Sequence, residues 1–347
     1  MAVLHPLECY LLETFSSAEH FAATRDAIIE WIDAHEAAYA RLQSNLDPRQ
    51  RSKPQWQQGD VVWGSRVLPN IRPDRDFYIN AYIQRTHNDP LAFNAGRAMR
   101  SNTRGIRECW SDWMTEEEER IISLTEKRAT KLDERLGSTA RGDWSEGALT
   151  YNGQGCLYQV EELPRRIPRY ELDPRVRLEI DQPAAQIGIY LPDVEFAAAC
   201  LLYPNSFEGG IEARQGLRRS DFVSDTGKRA YDWKETRWVE TGWTLIRRVE
   251  GEFIEVPERG FFPRGEPEEL YSWPEREAQF ICRDGAFITR LSGEPAPYTG
   301  KWSMFGRQGF EYIDLQQGQH LPHKHEQLVT WTLISRADGG SCMEFHQ

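Results

Sequence analysis

The chain has 347 residues, 39% of them hydrophobic and 28% charged, which are ordinary proportions for a folded protein and more length than one core usually fills, so two domains are expected. Its formal net charge of -12 has the wrong sign for a nucleic-acid binder, which needs a basic surface to displace counterions. No apolar run is long enough to span a bilayer, and the opening MAVLHPLECYLLETF is interrupted by Glu8 and Glu13, so neither a membrane helix nor a signal peptide is expected.

The six cysteines are scattered, with no C-x-x-C pair. That pattern fits a reduced, cytoplasmic compartment better than a disulfide or zinc framework. Tryptophan is abundant, with 12 copies, and its large apolar area with one N–H donor suits small β cores and interfaces alike.

The front part reads as helices. Ser16 and Glu19 form an S-x-x-E capping pattern, followed by Phe21, Ile28, Ile32, Tyr39, Leu42 and Leu46 at helical spacing, which predicts one long helix ending near Asp47-Pro48. Residues 49–58 are polar and predict a loop, and 76–86 and 91–100 predict two shorter helices. Thr115 and Glu118 repeat the capping pattern. Glu116, Glu117, Glu118 and Glu119 fill the first turn, Ile121, Ile122, Ala129, Leu132 and Leu136 supply a buried stripe, and Gly137 predicts the stop.

From about residue 138 the texture changes. Arg141-Gly142 and Glu146-Gly147 predict a hinge between a helical domain, 1–140, and a β-rich domain, 141–347. Val176, Leu178 and Ile180 alternate with charged residues as in a half-buried strand. Residues 187–190 and 196–203 are apolar runs that predict buried strands, the second also readable as a short helix. A degenerate repeat occupies about 240–335. Its copies run from Gly242-Trp243 to Trp273, from Gly285 to Trp302 and from Gly309 to Trp331, each with a Gly-Glu or Gly-Gln turn. The fold class expected is therefore α+β, with helices first and then small curled sheets resembling SH3-like barrels.

Catalytic motifs are incomplete. Gly142, Ser145 and Gly147 miss the G-x-S-x-G spacing, Gly227-Lys228 lacks a phosphate-cradling run, and Tyr39 stands where H-E-x-x-H needs its second histidine. Imidazoles at His320, His323 and His325 in HLPHKHE are the one cluster suited to a metal. Glu326 follows on the opposite strand face, and Leu321-Pro322 reads as a turn, so a solvated loop accounts for the cluster more simply. No cofactor is expected.

The helical front, together with Arg283 to Phe287 (RDGAF), Leu291 to Pro297 (LSGEPAP), Trp302, and the recurrence at Leu315 to Pro322 and Trp331, resembles polymorphic-toxin immunity proteins of type VI secretion effectors. The type concerned joins immunity families seventy-one and seventy-two. An extra residue between Gly285 and Phe287 departs from the Cys-x-x-Gly-aromatic start expected there, and Gly242-Trp243 lacks the cysteine. The resemblance implies an α+β binding protein, not an enzyme, that occludes one cognate toxin encoded by a neighbouring gene. A nuclease toxin would present a basic cleft to this acidic chain. Trp110, Asp112, Trp113, Glu116, Glu117 and Glu119 are the candidate contact residues, combining aromatic anchors with charge. Packing of both tryptophans and dipole compensation by the glutamates is the simpler account of the same residues. Two other readings stay open: a cupin-like metal enzyme at the histidines, and a peptide-binding scaffold using the Trp-rich sheets.

Overall fold

A computed structural model describes residues 2, 4–150, 162–180, 182–204, 212–223, 229–256, 285–306, 309–324, 328–340 and 342–345. Cys156, Cys282, Trp273 and His325 lie outside these. Helices fill residues 6–140, and small antiparallel sheets follow. Among the described residues no helix is long and apolar enough to cross a membrane.

A helix that the sequence pattern does not predict comes first, α1 (Pro6–Phe15). Glu8 and Glu13, which break its apolar run, have specific partners instead. Buried Glu8 Oε1 accepts the Ala199 N–H at 2.8 Å, and Glu13 Oε2 accepts from the Tyr170 hydroxyl at 2.7 Å and Arg248 Nε at 2.8 Å. Ser16 closes α1, its Oγ donating back to the Leu12 carbonyl at 2.7 Å. The cap of α2 (Ala18–Ser44) is therefore Ser17, not Ser16, and Ser17 Oγ accepts from the His20 N–H at 3.1 Å.

The second helix stops at Ser44, short of Asp47-Pro48. The Asp47 carboxylate takes the Arg49 N–H, and 3-10 turns follow at Pro48–Ser52 and Gln55–Gln57. The chain then runs through α3 (Gly59–Val62), a π-turn (Trp63–Val67) and α4 (Leu68–Thr86), well before the expected start at residue 76. At the π-turn the Leu68 N–H reaches back to the Trp63 carbonyl, and Pro69 has no N–H with which to restore α spacing. Leu91 sits in a 3-10 turn (Pro90–Asn94), and the helix expected at 91–100 is displaced to α5 (Ala98–Arg107).

Thr115 caps α6 (Glu116–Ala140) with both bonds of the capping box in place. Gly137 is not its stop. A β-carbon there would overlap the Gly96 carbonyl oxygen, so Gly137 gives the Gly96 backbone room to cross the helix. Ile121 is 40% exposed, so the buried stripe is carried by Ile122, Ala129 and Leu136. Helices α2, α4 and α6 close a core around Trp31, Ile32, Trp63, Leu68 and Tyr78, in which the Tyr78 hydroxyl donates to buried Asp133.

The first sheet orders β1 (Arg166–Leu178), β6 (Trp243–Glu255), β2 (Gly188–Pro192) and β3 (Cys200–Leu202), all antiparallel. β1 ends before Ile180, which is 51% exposed; the 196–203 run opens on Phe196 at a positive φ of 57° and contributes only three strand residues. The apolar face of this sheet packs on α1: Leu7, Leu11 and Leu12 meet Ile167, Ile189 and Leu191 in one core. β4 (Glu212–Val223) and β5 (Arg229–Glu240) form a separate ladder, whose Trp233 Nε1 donates to the Glu146 carbonyl at 3.1 Å.

The C-terminal sheets are built from β7 (Gly285–Phe287), β8 (Thr289–Leu291), β9 (Gly300–Gly306), β10 (Gly309–Leu315), β11 (Thr330–Arg336) and β12 (Met343–Phe345). The chain passes from one sheet to the other at buried Ile288. Its N–H goes to the Cys342 carbonyl and its own carbonyl accepts from the Leu333 N–H, both at 2.9 Å, so the two sheets curl around one core holding Trp302 and Trp331.

The repeat has a structural basis. Gly293 and Gly318 have φ of 90° and 86° in matched turns. Glu294 and Gln319 each return a side-chain oxygen to the backbone N–H three residues earlier, at 2.7 Å. The turns also exchange bonds reciprocally, Gly293 N–H to the Leu321 carbonyl and Gly318 N–H to the Ala296 carbonyl. Of the first repeat copy, Trp243 belongs to β6 and a different core, and residues 257–273 lie outside the described residues.

Candidate functional site

The capping box at Thr115 fixes the geometry of the acidic turn. Glu118 Oε2 accepts the Thr115 N–H at 2.8 Å, and the same carboxylate accepts Arg41 Nε and Nη2 at 2.8 and 2.7 Å. The paired guanidinium holds the Glu118 carboxyl below the usual range. Arg41 Nη2 also donates to the Trp113 carbonyl at 3.1 Å. One arginine thus ties the end of α2, the loop before α6 and the cap together.

Trp113 points inward. Its ring meets Trp63 edge-to-face with centroids 5.1 Å apart, and a β-carbon on Gly59 would lie 2.5 Å from Trp113 Cδ1. Behind it, Trp63 Nε1 donates to His35 Nδ1 at 3.3 Å, and His35 packs edge-to-face on Trp31. Burial pushes the His35 pKa down to about 4, so the ring is neutral and carries its proton on Nε2.

Trp110 behaves differently. It meets Trp56 edge-to-face at 5.8 Å, and Trp56 is 60% exposed. The sequence reading missed Trp56, whose one local signal is a tryptophan inside the polar run KPQWQQ. The 3-10 turn Gln55–Gln57 carries it to Trp110 from 54 positions upstream in the sequence. Of the acidic candidates, Glu117 is paired with Arg120 at 2.6 Å. Asp112, Glu116 and Glu119 are exposed and make no ion pair among the described residues. The structure therefore brings Trp56 to Trp110, two residues before Asp112 and on the segment that leads into the Glu116–Glu119 turn of α6, while Trp113 packs on Trp63. An exposed indole on a segment rich in unpaired carboxylates is suited to binding a partner.

His320 and His323 lie exposed in the loop between β10 and β11. His320 Nδ1 bonds the Gly293 carbonyl at 2.8 Å, and His323 Nδ1 bonds Ser292 Oγ at 3.2 Å. Among the described residues no three His, Cys, Asp or Glu side chains are placed to hold a metal ion. Nearby, an open cleft of about 480 Å³ is lined in part by Thr299, Lys301, Asp314, Gln319 and Arg336. Arg336 is already paired with Asp338 and lies over the Tyr298 ring, and Lys301 and Asp314 are opposed across β9 and β10. Burial pushes the Cys9 thiol up and that of Cys200 to about 12, so neither is a ready thiolate.

No protein-family model matches this chain, and no curated protein or solved structure matches it.

Proposed function

We propose that this chain is an immunity protein, which neutralises one cognate secreted toxin by direct binding and occlusion of its active site. The observation that carries the binding reading is the contact of exposed Trp56 with half-buried Trp110, on a segment that also carries the exposed carboxylates Asp112, Glu116 and Glu119. Binding energy concentrates in a few aromatic or arginine anchors, and surrounding charges set the rate of encounter. The resemblance of the LSGEPAP region to toxin-immunity proteins supplies the class of partner, and a basic nuclease is the toxin that this surface suits.

The test is co-expression with secreted toxins encoded beside the gene. Wild type is expected to restore growth and to bind one toxin tightly. The Trp56→Ala/Trp110→Ala variant is expected to weaken binding by at least about 30-fold, the loss of one hot spot. Glu116→Lys/Glu119→Lys is expected to slow association by roughly tenfold at low salt and to flatten its salt dependence. Failure of every neighbouring toxin to bind would remove the immunity reading. Full-strength binding by the double-tryptophan variant would move the contact elsewhere.

A further inference from the structure

We propose that the Trp56–Trp110 pair is a receptor for an arginine side chain of the partner protein; this rests on the binding reading above and names the chemistry of that surface. Three observations converge. First, the two rings belong to no core. Neither packs into a hydrophobic cluster of the described residues, and Trp56 keeps 60% of its surface in water. They meet edge-to-face at 83°, with Trp110 half-buried.

Second, this chain repeatedly stacks arginines on rings, and among the described residues these two rings have none. Arg25 lies over Tyr82 at 4.4 Å, Arg166 over Phe253 at 4.5 Å, and Arg336 over Tyr298 at 3.8 Å. Arg41 is taken by the Trp113 ring and Glu118. Among the described residues no cation lies over Trp56 or Trp110, although tryptophan is the strongest cation–π acceptor of the three aromatic side chains.

Third, the segments carrying the rings, 53–60 and 108–119, hold seven carboxylates and one lysine. Asp60, Glu117 and Glu118 are paired with Arg51, Arg120 and Arg41. Glu108, Asp112, Glu116 and Glu119 have no ion-pair partner among the described residues. A guanidinium is planar and weakly hydrated, so it can stack on an indole face while its edge N–H groups reach carboxylates. An ammonium can satisfy one demand at a time.

The test needs no knowledge of the partner. Indole N–H resonances of the full chain are followed during titration with a hexa-arginine peptide, with hexa-lysine and hexa-citrulline as comparisons. Hexa-arginine is expected to shift the Trp56 and Trp110 signals saturably, with the buried Trp31 and Trp243 signals unmoved. Hexa-lysine should bind several-fold more weakly, and hexa-citrulline should leave the signals in place. Trp56→Ala is expected to weaken hexa-arginine binding about 5- to 30-fold, and Glu116→Gln/Glu119→Gln to weaken it less. Absence of a saturable shift, an equal response to hexa-citrulline, or unchanged affinity in both Trp56→Ala and Trp110→Leu would overturn the proposal. The two readings fail separately. Toxin binding lost in the tryptophan variants without any peptide response sinks the arginine receptor alone. A peptide response as described, with no toxin bound, sinks the immunity assignment alone.

Discussion

At the scale of single residues, two tryptophans three positions apart do opposite work. Trp113 fills the space over Gly59 and Trp63, whereas Trp110 reaches the exposed Trp56. Trp113→Ala should cost about 3 kcal/mol of stability by opening a cavity, and Trp56→Ala should stay within about 0.5 kcal/mol. Urea unfolding of both variants measures this contrast, and equal losses would overturn it. Buried imidazoles set a second expectation. Burial holds His20 and His35 at about 4, against 6.5 in an unperturbed chain. As pH falls from 6.5 to 4, the unfolded chain takes up protons that the folded rings refuse, so stability drops, by up to about 3 kcal/mol for each histidine. Asp133 opposes this. Burial raises its carboxyl to about 6, so the folded state gains a proton first and recovers up to about 3 kcal/mol on acidification. Two against one leaves a net loss. The urea midpoint should fall between pH 6.5 and 4.5, and His35→Gln, which keeps an acceptor for Trp63 Nε1, should flatten that slope. An unchanged slope would show that His35 is not the titrating group.

At the scale of elements, what the sequence discloses is local, and what it conceals depends on which distant element arrives alongside. The Thr115–Glu118 box was legible because both partners lie within one turn, and so was the order of helices before sheets. The Ser16 assignment failed by one residue because a preceding helix claimed that serine, which no local pattern reveals. Trp56 stayed hidden because its meaning depends on Trp110, on another element, and the polar run around it looked like an ordinary loop. Gly137 illustrates the same limit with a sign that can be measured. By helix propensity alone, Gly137→Ala should stabilise α6 by about 1 kcal/mol. The overlap of the new β-carbon with the Gly96 carbonyl predicts the reverse, a loss of roughly 1–3 kcal/mol and a lower melting temperature. A higher melting temperature would mean that the 96–137 crossing has slack.

At the scale of the whole molecule, the helical and β-rich parts share a physical seam. Helix α1 belongs by sequence to the front but is buried with Ile167, Tyr170, Ile189 and Ile246 of the first sheet. Residues 141–347 expressed alone should therefore expose that sheet face and aggregate, and a peptide of residues 1–16 added during refolding should restore solubility. A soluble, folded 141–347 fragment without the peptide would contradict the role given to α1. The same packing sets a timetable for synthesis. The apolar face of α1 finds its last sheet partner, β6, only after about residue 255 has been made. At roughly 5–20 residues per second, that leaves Leu7, Leu11, Leu12 and Phe15 without their complete native cover for about 12–50 s. Such distant pairing raises contact order and slows closure of this core, so the newborn chain passes through a long interval in which a holding chaperone has its best opportunity to bind α1.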